Sequence, residues 1–213
     1  MRWPWQRAPP KPWGVEIMAA HLEIPDPRQR VYELFGDHAT GEDRLHVGCG
    51  SNHMPGWINM DSESSQNPEV IGDLNVRLPF DDESFDVIYA HHVLEHVEDI
   101  LDTVFELHRI LKPGGRLLVV VPHAWTDLGS ANPFHRQRFT PHTFMYFRSG
   151  TFSVPGTSGF QAQEGKSIAD WERIVVRMMV NEEWLARPDL AFAAQHYVNV
   201  VEEIQAIFIK KGS

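Results

Sequence analysis

The 213-residue chain is long enough for one domain with a full core, and its 29 Asp and Glu against 19 Lys and Arg give a formal charge of -10. That charge disfavours a nucleic-acid partner, whose phosphates demand a basic surface. One cysteine excludes an internal disulfide, and no apolar run approaches the roughly 20 residues of a membrane span, so a cytoplasmic chain without a membrane partner is expected.

Residues 1–13 carry Trp3, Trp5 and Trp13 among four prolines and lack the apolar stretch of a targeting peptide. Residues 1–40 are expected to form a Trp/Pro-rich arm with a helical extension, either poorly ordered or strapped to something by its tryptophans. Residues 41–213 form the main domain. Its first strand, Arg44 to Val47, runs into a glycine turn; a second, Trp57 to Met60, ends at Asp61, and a third near Val70 ends at Gly72-Asp73. Phe85 to Ala90 reads as a buried strand. A helix follows, with Ile100, Leu101, Val104, Phe105, Ile110 and Leu111 as its apolar face. Lys112-Pro113-Gly114-Gly115 stops it. Arg116 to Val121 is apolar and β-branched enough to be a central strand covered on both faces. Residues 123–168, rich in Pro, Gly, His and aromatics, are read as an insertion beside a site. Strands near 173–178 and 203–209 complete the pattern. The class is α/β, with a Rossmann-like, mostly parallel sheet and helices on both faces.

In such a sheet, ligands bind at the carboxyl ends of the strands. The turn Val47-Gly48-Cys49-Gly50 lacks side chains where a ligand must approach the backbone, and Asp61 stands at the next strand end, suited to a ribose diol. A dinucleotide fingerprint fails because His53 occupies the third glycine position and Asp61 comes well before the ~20-residue separation expected. No triphosphate-binding loop occurs.

Leu45-His46-Val47-Gly48-Cys49-Gly50, Gly72-Asp73-Leu74, the run from Leu78-Pro79-Phe80 to Ile88-Tyr89, Leu94-Glu95-His96-Val97 and Arg109-Ile110-Leu111-Lys112-Pro113-Gly114-Gly115 resemble, in order, the motifs of the type-11 class I methyltransferases. The resemblance covers roughly residues 44–122. It implies S-adenosylmethionine as cofactor, held by the turn at Val47, Gly48, Cys49 and Gly50, by Asp61 at the ribose, by Asp73 and Leu74 at the adenine, and by His91 and His92 near the sulfonium. One departure stands out: Ser51 to Gly56 is too short for the usual crossover helix, which normally takes a dozen or more residues. This shortened form, with its Gly56-Trp57-Ile58-Asn59-Met60-Asp61 run, resembles a subgroup of small bacterial methyltransferases.

His92-Val93-Leu94-Glu95-His96 matches the inverted zinc-protease signature, but no third ligand is evident, and the segment reads better as the one following the fourth strand of a methyltransferase. No metal is expected; His92, Glu95 and His96 are the residues that would supply ligands if one were held, in a set suited to zinc, manganese or iron. His96 and His135 are the candidate proton acceptors, and Arg136 and Arg138 the candidate grips for an anionic acceptor. The alternative for the segment around His135 is an exposed polar turn with Phe134 and Phe139 packed inward. Cys49 reads as packing. Base-methylating enzymes carry a [DNS]-P-P-[YFW] run where this chain has Ala90-His91-His92-Val93. The expected acceptor is therefore the oxygen or nitrogen of a small molecule, a sugar or natural product. The alternatives are a non-catalytic cofactor-binding scaffold or regulatory partner, and a metal-assisted methyltransferase using His92, Glu95 and His96. A homo-oligomer contact through the arm or the insertion is left open.

Overall fold

A computed structural model describes residues 13–19, 31–33, 35–41, 43–147, 169–180 and 182–212. Trp3 and Trp5 of the arm, most of its expected helical extension and the insertion beyond residue 147 lie outside the described residues. The strands are β1 (Trp13–Ala19), β2 (Arg44–Val47), β3 (Ile58–Asp61), β4 (Val70–Ile71), β5 (Phe85–His91), β6 (Leu111–Pro122), β7 (Trp171–Val180) and β8 (Val201–Lys210). The helices are α1 (Ile100–Ile110), α2 (Asp127–Ser130), α3 (Glu182–Leu185) and α4 (Leu190–His196). All strands join one sheet in the order β1-β7-β8-β6-β5-β2-β3-β4, with β8 antiparallel to both neighbours and every other pairing parallel. Among the described residues no helix is long and apolar enough to cross a membrane.

The centre of the sheet follows from its apolar runs. On β6, Leu117, Val119 and Val121 belong to one core while Leu118 and Val120 belong to the core on the opposite face. On β5, Ile88 and Ala90 divide from Val87 and Tyr89 in the same way. The strand's two-residue period sends successive side chains to opposite faces, so a strand covered on both sides must be apolar throughout.

The first face is covered by α1, whose Asp99 cap accepts hydrogen bonds from the Leu101 and Asp102 amides. Its buried positions are Thr103, Val104, Leu107 and Ile110. Phe105, expected in that stripe, is exposed because it lies a further 100° round the helix from Val104. The second face is covered by Val31, Phe35 and Ala39 and by Met54 and Trp57 from the loop before β3.

That loop replaces the crossover helix. Met54 N donates to Asn59 Oδ1 at 2.7 Å, and Asn59 Nδ2 donates to the carbonyls of Met54 (3.2 Å) and Trp57 (3.3 Å). One buried amide side chain thus satisfies a turn that regular structure would otherwise satisfy, and it seats Met54 and Trp57 in the core. β1 was read as part of the arm. It instead extends the sheet by pairing parallel with β7 over Trp13 to Ala19.

Asn59→Ala leaves Met54 N buried without an acceptor and is expected to cost about 2 kcal/mol or more in chemical denaturation. A loss below about 0.5 kcal/mol would show that the loop is held by other contacts.

Candidate functional site

The carboxyl ends of β2, β3 and β5 open onto a cleft of about 270 Å³, lined by Gly48, Gly50, Asp61, Asp73, Leu74 and His92, with Ser62, Gly72, Asn75, Val93, His96 and Val97 completing its walls. Gly48 has φ +63° and lies so close to Val93 that a Cβ there would fall 2.3 Å from Val93 Cγ2. Only glycine combines that dihedral with that approach. Gly50 has φ +50° but open space beside it, so the chain there needs the backbone freedom and offers a bare surface to the cleft.

Asp61 ties the turn to β3. Its Oδ2 accepts from Gly50 N at 2.8 Å and its Oδ1 from Glu63 N at 2.9 Å. A carboxylate offers about four lone-pair sites, so both oxygens retain capacity for a vicinal diol. Asp73 Oδ1 accepts from the backbone and side-chain nitrogens of Asn75 at 2.8 and 2.9 Å, an Asx turn that shapes the opposite wall above the nearly buried Leu74.

Not every residue singled out from the sequence reaches the cleft. The Val47 and Cys49 side chains are buried, and neither residue lines the cleft; burial, then the charge of Asp61, pushes the Cys49 thiol up to about 11. His91 lies behind the wall, stacked on His92 at 4.4 Å between ring centres. His92 adopts φ +51°, and its Nε2 sits 2.9 Å from Glu203 Oε1 on β8. Residues 94–96 form a 3-10 turn, not an α-helix. The dihedral and the turn break the shared face that H-x-x-E-H requires, so His92 does not join Glu95 and His96, and the zinc-protease geometry is absent.

The groups beyond His92 regroup. Glu95 is 1% exposed, and burial pushes its carboxyl up. His135 Nε2 lies 4.0 Å from Glu95 Oε1, and the His96 and His135 rings meet edge to face at 4.8 Å. Arg136 N and Gln137 N both donate to the Glu95 carbonyl, at 2.8 and 3.0 Å, docking the insertion onto the 3-10 turn. Of the expected anion grips, Arg136 is paired with Glu98 at 2.8 Å, while Arg138 is exposed without an ion-pair partner among the described residues. Phe139 packs inward, as in the polar-turn reading; Phe134 is instead 76% exposed, in a turn closed by Asn132 Oδ1.

The strand-end motifs divide in function. Arg109 donates to both Glu106 oxygens, to Asp82 and to the carbonyls of Phe80 and Leu78, while Glu106 accepts from Leu78 N. Lys112 bridges Asp43 and Asp86. These residues fasten the amino-terminal ends of the central strands, opposite the cleft. Val93, Asn75 and Glu203 went unnoticed in the sequence; only Val93 carried a local signal, its position just past β5.

A methyltransferase-domain family profile matches residues 49–119. A probable S-adenosylmethionine-dependent methyltransferase of Mycolicibacterium smegmatis is 26% identical over 72% of this chain and 71% of its own length. A demethylmenaquinone methyltransferase of Streptomyces griseus is 28% identical over 68% of this chain and 63% of its own. Among solved structures, a SAM-dependent methyltransferase from Archaeoglobus fulgidus superposes with TM-score 0.56 at 12% identity, covering 86% of this chain and 92% of that one. Phosphoethanolamine N-methyltransferase 2 of Haemonchus contortus, solved with S-adenosyl-L-methionine, gives 0.55 at 15%, covering 86% and 52%.

Burial holds the His46 and His123 imidazoles neutral, each lowered from 6.5 to about 4. The unfolded chain therefore takes up protons first as the pH falls. Stability from the neutral rings is fully present above about 6.5 and is lost toward about 4, at a slope of about 1.4 kcal/mol per pH unit for each ring. Glu95, raised by burial, opposes this because its protonated form suits the folded state. The melting temperature is expected to fall across that window, and to fall less steeply in His123→Asn, whose amide oxygen can still accept from Trp125 N. An unchanged slope in that variant would show that His123 is not held neutral.

Proposed function

We propose that this chain, a class I S-adenosylmethionine-dependent methyltransferase, moves a methyl group to an oxygen or nitrogen of a small molecule, of sugar or natural-product type. The observation that carries this reading is the continuity of one cleft from the Asp61 carboxylate to the His96 ring. Asp61 and the bare Gly50 backbone bind the ribose end, and Asp73, Asn75 and Leu74 form the adenine wall. His92, clamped by Glu203, stands between them and the acceptor end at His96. The cofactor supplies a methyl group already activated on a sulfonium, so the protein chiefly aligns acceptor, methyl and sulfur.

An acceptor hydroxyl or neutral amine loses a proton as its oxygen or nitrogen takes the methyl, and an ammonium must lose one beforehand to free the lone pair that attacks. His96, at the cleft and half surrounded by Glu95 and His135, receives that proton, directly or through one water. His135 is a positioning residue in this scheme, because the turn around it holds its ring behind that of His96. The acidic chain and the absence of a base-gripping run favour a small acceptor in the cytoplasm over nucleic acid.

Transfer of labelled methyl from S-adenosylmethionine into a pooled library of sugars, phenols and amines tests this reading. Turnover with at least one acceptor is expected, falling about 100-fold in His96→Ala with the cofactor's affinity retained. Cofactor binding without transfer to any member of the pool would favour a non-catalytic scaffold instead.

A further inference from the structure

We infer that Glu95, His96 and His135 form a divalent transition-metal site at the acceptor end of the cleft. Each offers one ligand atom, and all these atoms lie within 4.8 Å of one another. The Glu95 carboxylate is 1% exposed, and its Oε2 has no hydrogen-bond partner among the described residues. A buried carboxylate of this kind is paired, neutralised or bound to a cation. An imidazole nitrogen, His135 Nε2, lies 4.0 Å from Glu95 Oε1.

The His135 tautomer is set from behind. Its Nδ1 lies 3.2 Å from the Gly129 carbonyl, an acceptor only, so Nδ1 carries the proton and the Nε2 lone pair faces Glu95. A ring nitrogen anchored to a carbonyl with the other left free is the usual arrangement around a metal-bound histidine. The two amide hydrogen bonds from Arg136 and Gln137 to the Glu95 carbonyl hold the two ligand segments together whatever the side chains do. Metal bonds of about 2.1 Å would draw the three ligand atoms inward by roughly an ångström, within reach of side-chain rotation.

Two imidazoles and a carboxylate make a set that suits zinc, iron(II) or manganese better than magnesium or calcium, which prefer all-oxygen shells. Three protein ligands leave positions open, and the cleft lies beside His96, so an acceptor oxygen could occupy one of them. The second cluster of this kind, His91, His92 and Glu203, is different, because His92 Nε2 and Glu203 Oε1 already satisfy each other at 2.9 Å. Ion binding does not depend on the methyl-transfer reading. The consequence for chemistry does rest on it: a bound ion would take His96 as a ligand in place of its role as proton acceptor, and would supply polarisation of an acceptor oxygen that makes its proton easier to lose.

The full-length protein, stripped with chelator, would be titrated calorimetrically with Zn²⁺ and with Mn²⁺, and in parallel with S-adenosylhomocysteine. One ion per chain is expected. Glu95→Gln, which keeps the shape of a neutral buried acid, and His96→Gln, at an exposed ring, should each weaken ion binding more than about 100-fold while keeping homocysteine-adduct binding, which reports folding. Glu203→Gln should leave ion affinity unchanged. Absence of ion binding by the wild-type chain would overturn the inference, as would equal affinity in Glu95→Gln and His96→Gln. Ion binding without S-adenosylhomocysteine binding would support the metal site while contradicting the cofactor reading.

Discussion

The hydrogen bond from Gly50 N to the Asp61 carboxylate is the constraint on which the site depends. It joins the turn after β2 to the end of β3 across a connection that has no helix to hold it. Everything around it serves that closeness. Gly48 gives up its side chain so that Val93 can approach, and Gly72 does the same beneath Met60, whose sulfur would lie 2.6 Å from a Cβ at that position. Asn59 closes the loop from below. The result is a carboxylate already oriented by two backbone amides before any ligand arrives, which lowers the ordering cost of binding.

The division of labour along the strands follows from the topology. At the carboxyl ends, the chain spends its glycines, its acids and its histidines on an open cleft. At the amino ends of β5 and β6, it spends Arg109, Glu106, Lys112 and Asp86 on fastening loops to the sheet. Both sets lie in runs that resemble one family, yet only the first can touch a ligand. The Arg109 bonds to Asp82, Phe80 and Leu78, with the Leu78 amide donating to Glu106, link α1 to the loop before β5, and so set the position of α1 against the core.

Much of this was legible in the chain itself, for physical reasons. Buried parallel strands read as continuous apolar runs, so β2, β5 and β6 announce themselves, and the short Ser51-to-Gly56 segment forbids a crossover helix. The edge strand β1 did not, because it follows a proline-rich segment and its pairing with β7 joins residues far apart in the chain. The histidines misled for a related reason. Spacing alone grouped His92, Glu95 and His96 as one possible ligand set, whereas a left-handed dihedral at His92 and a 3-10 turn part them. Their true neighbours, Glu203 and His135, come from β8 and the insertion; His135 was visible as a candidate proton acceptor, but no local pattern could have placed either beside these residues. Asn59 was visible as part of a run but not as the residue that secures the loop, since its partners emerge only when the turn is closed.

Calorimetric titration with S-adenosylhomocysteine, comparing the wild-type chain with Asp61→Asn and Asp61→Ala, tests the central claim most directly. The account predicts binding near the micromolar range by the wild type, a loss of at least about tenfold in Asp61→Ala, and an intermediate value in Asp61→Asn, which keeps one acceptor for Gly50 N. No binding by folded, cofactor-free wild-type protein, or equal affinity in all three, would contradict it.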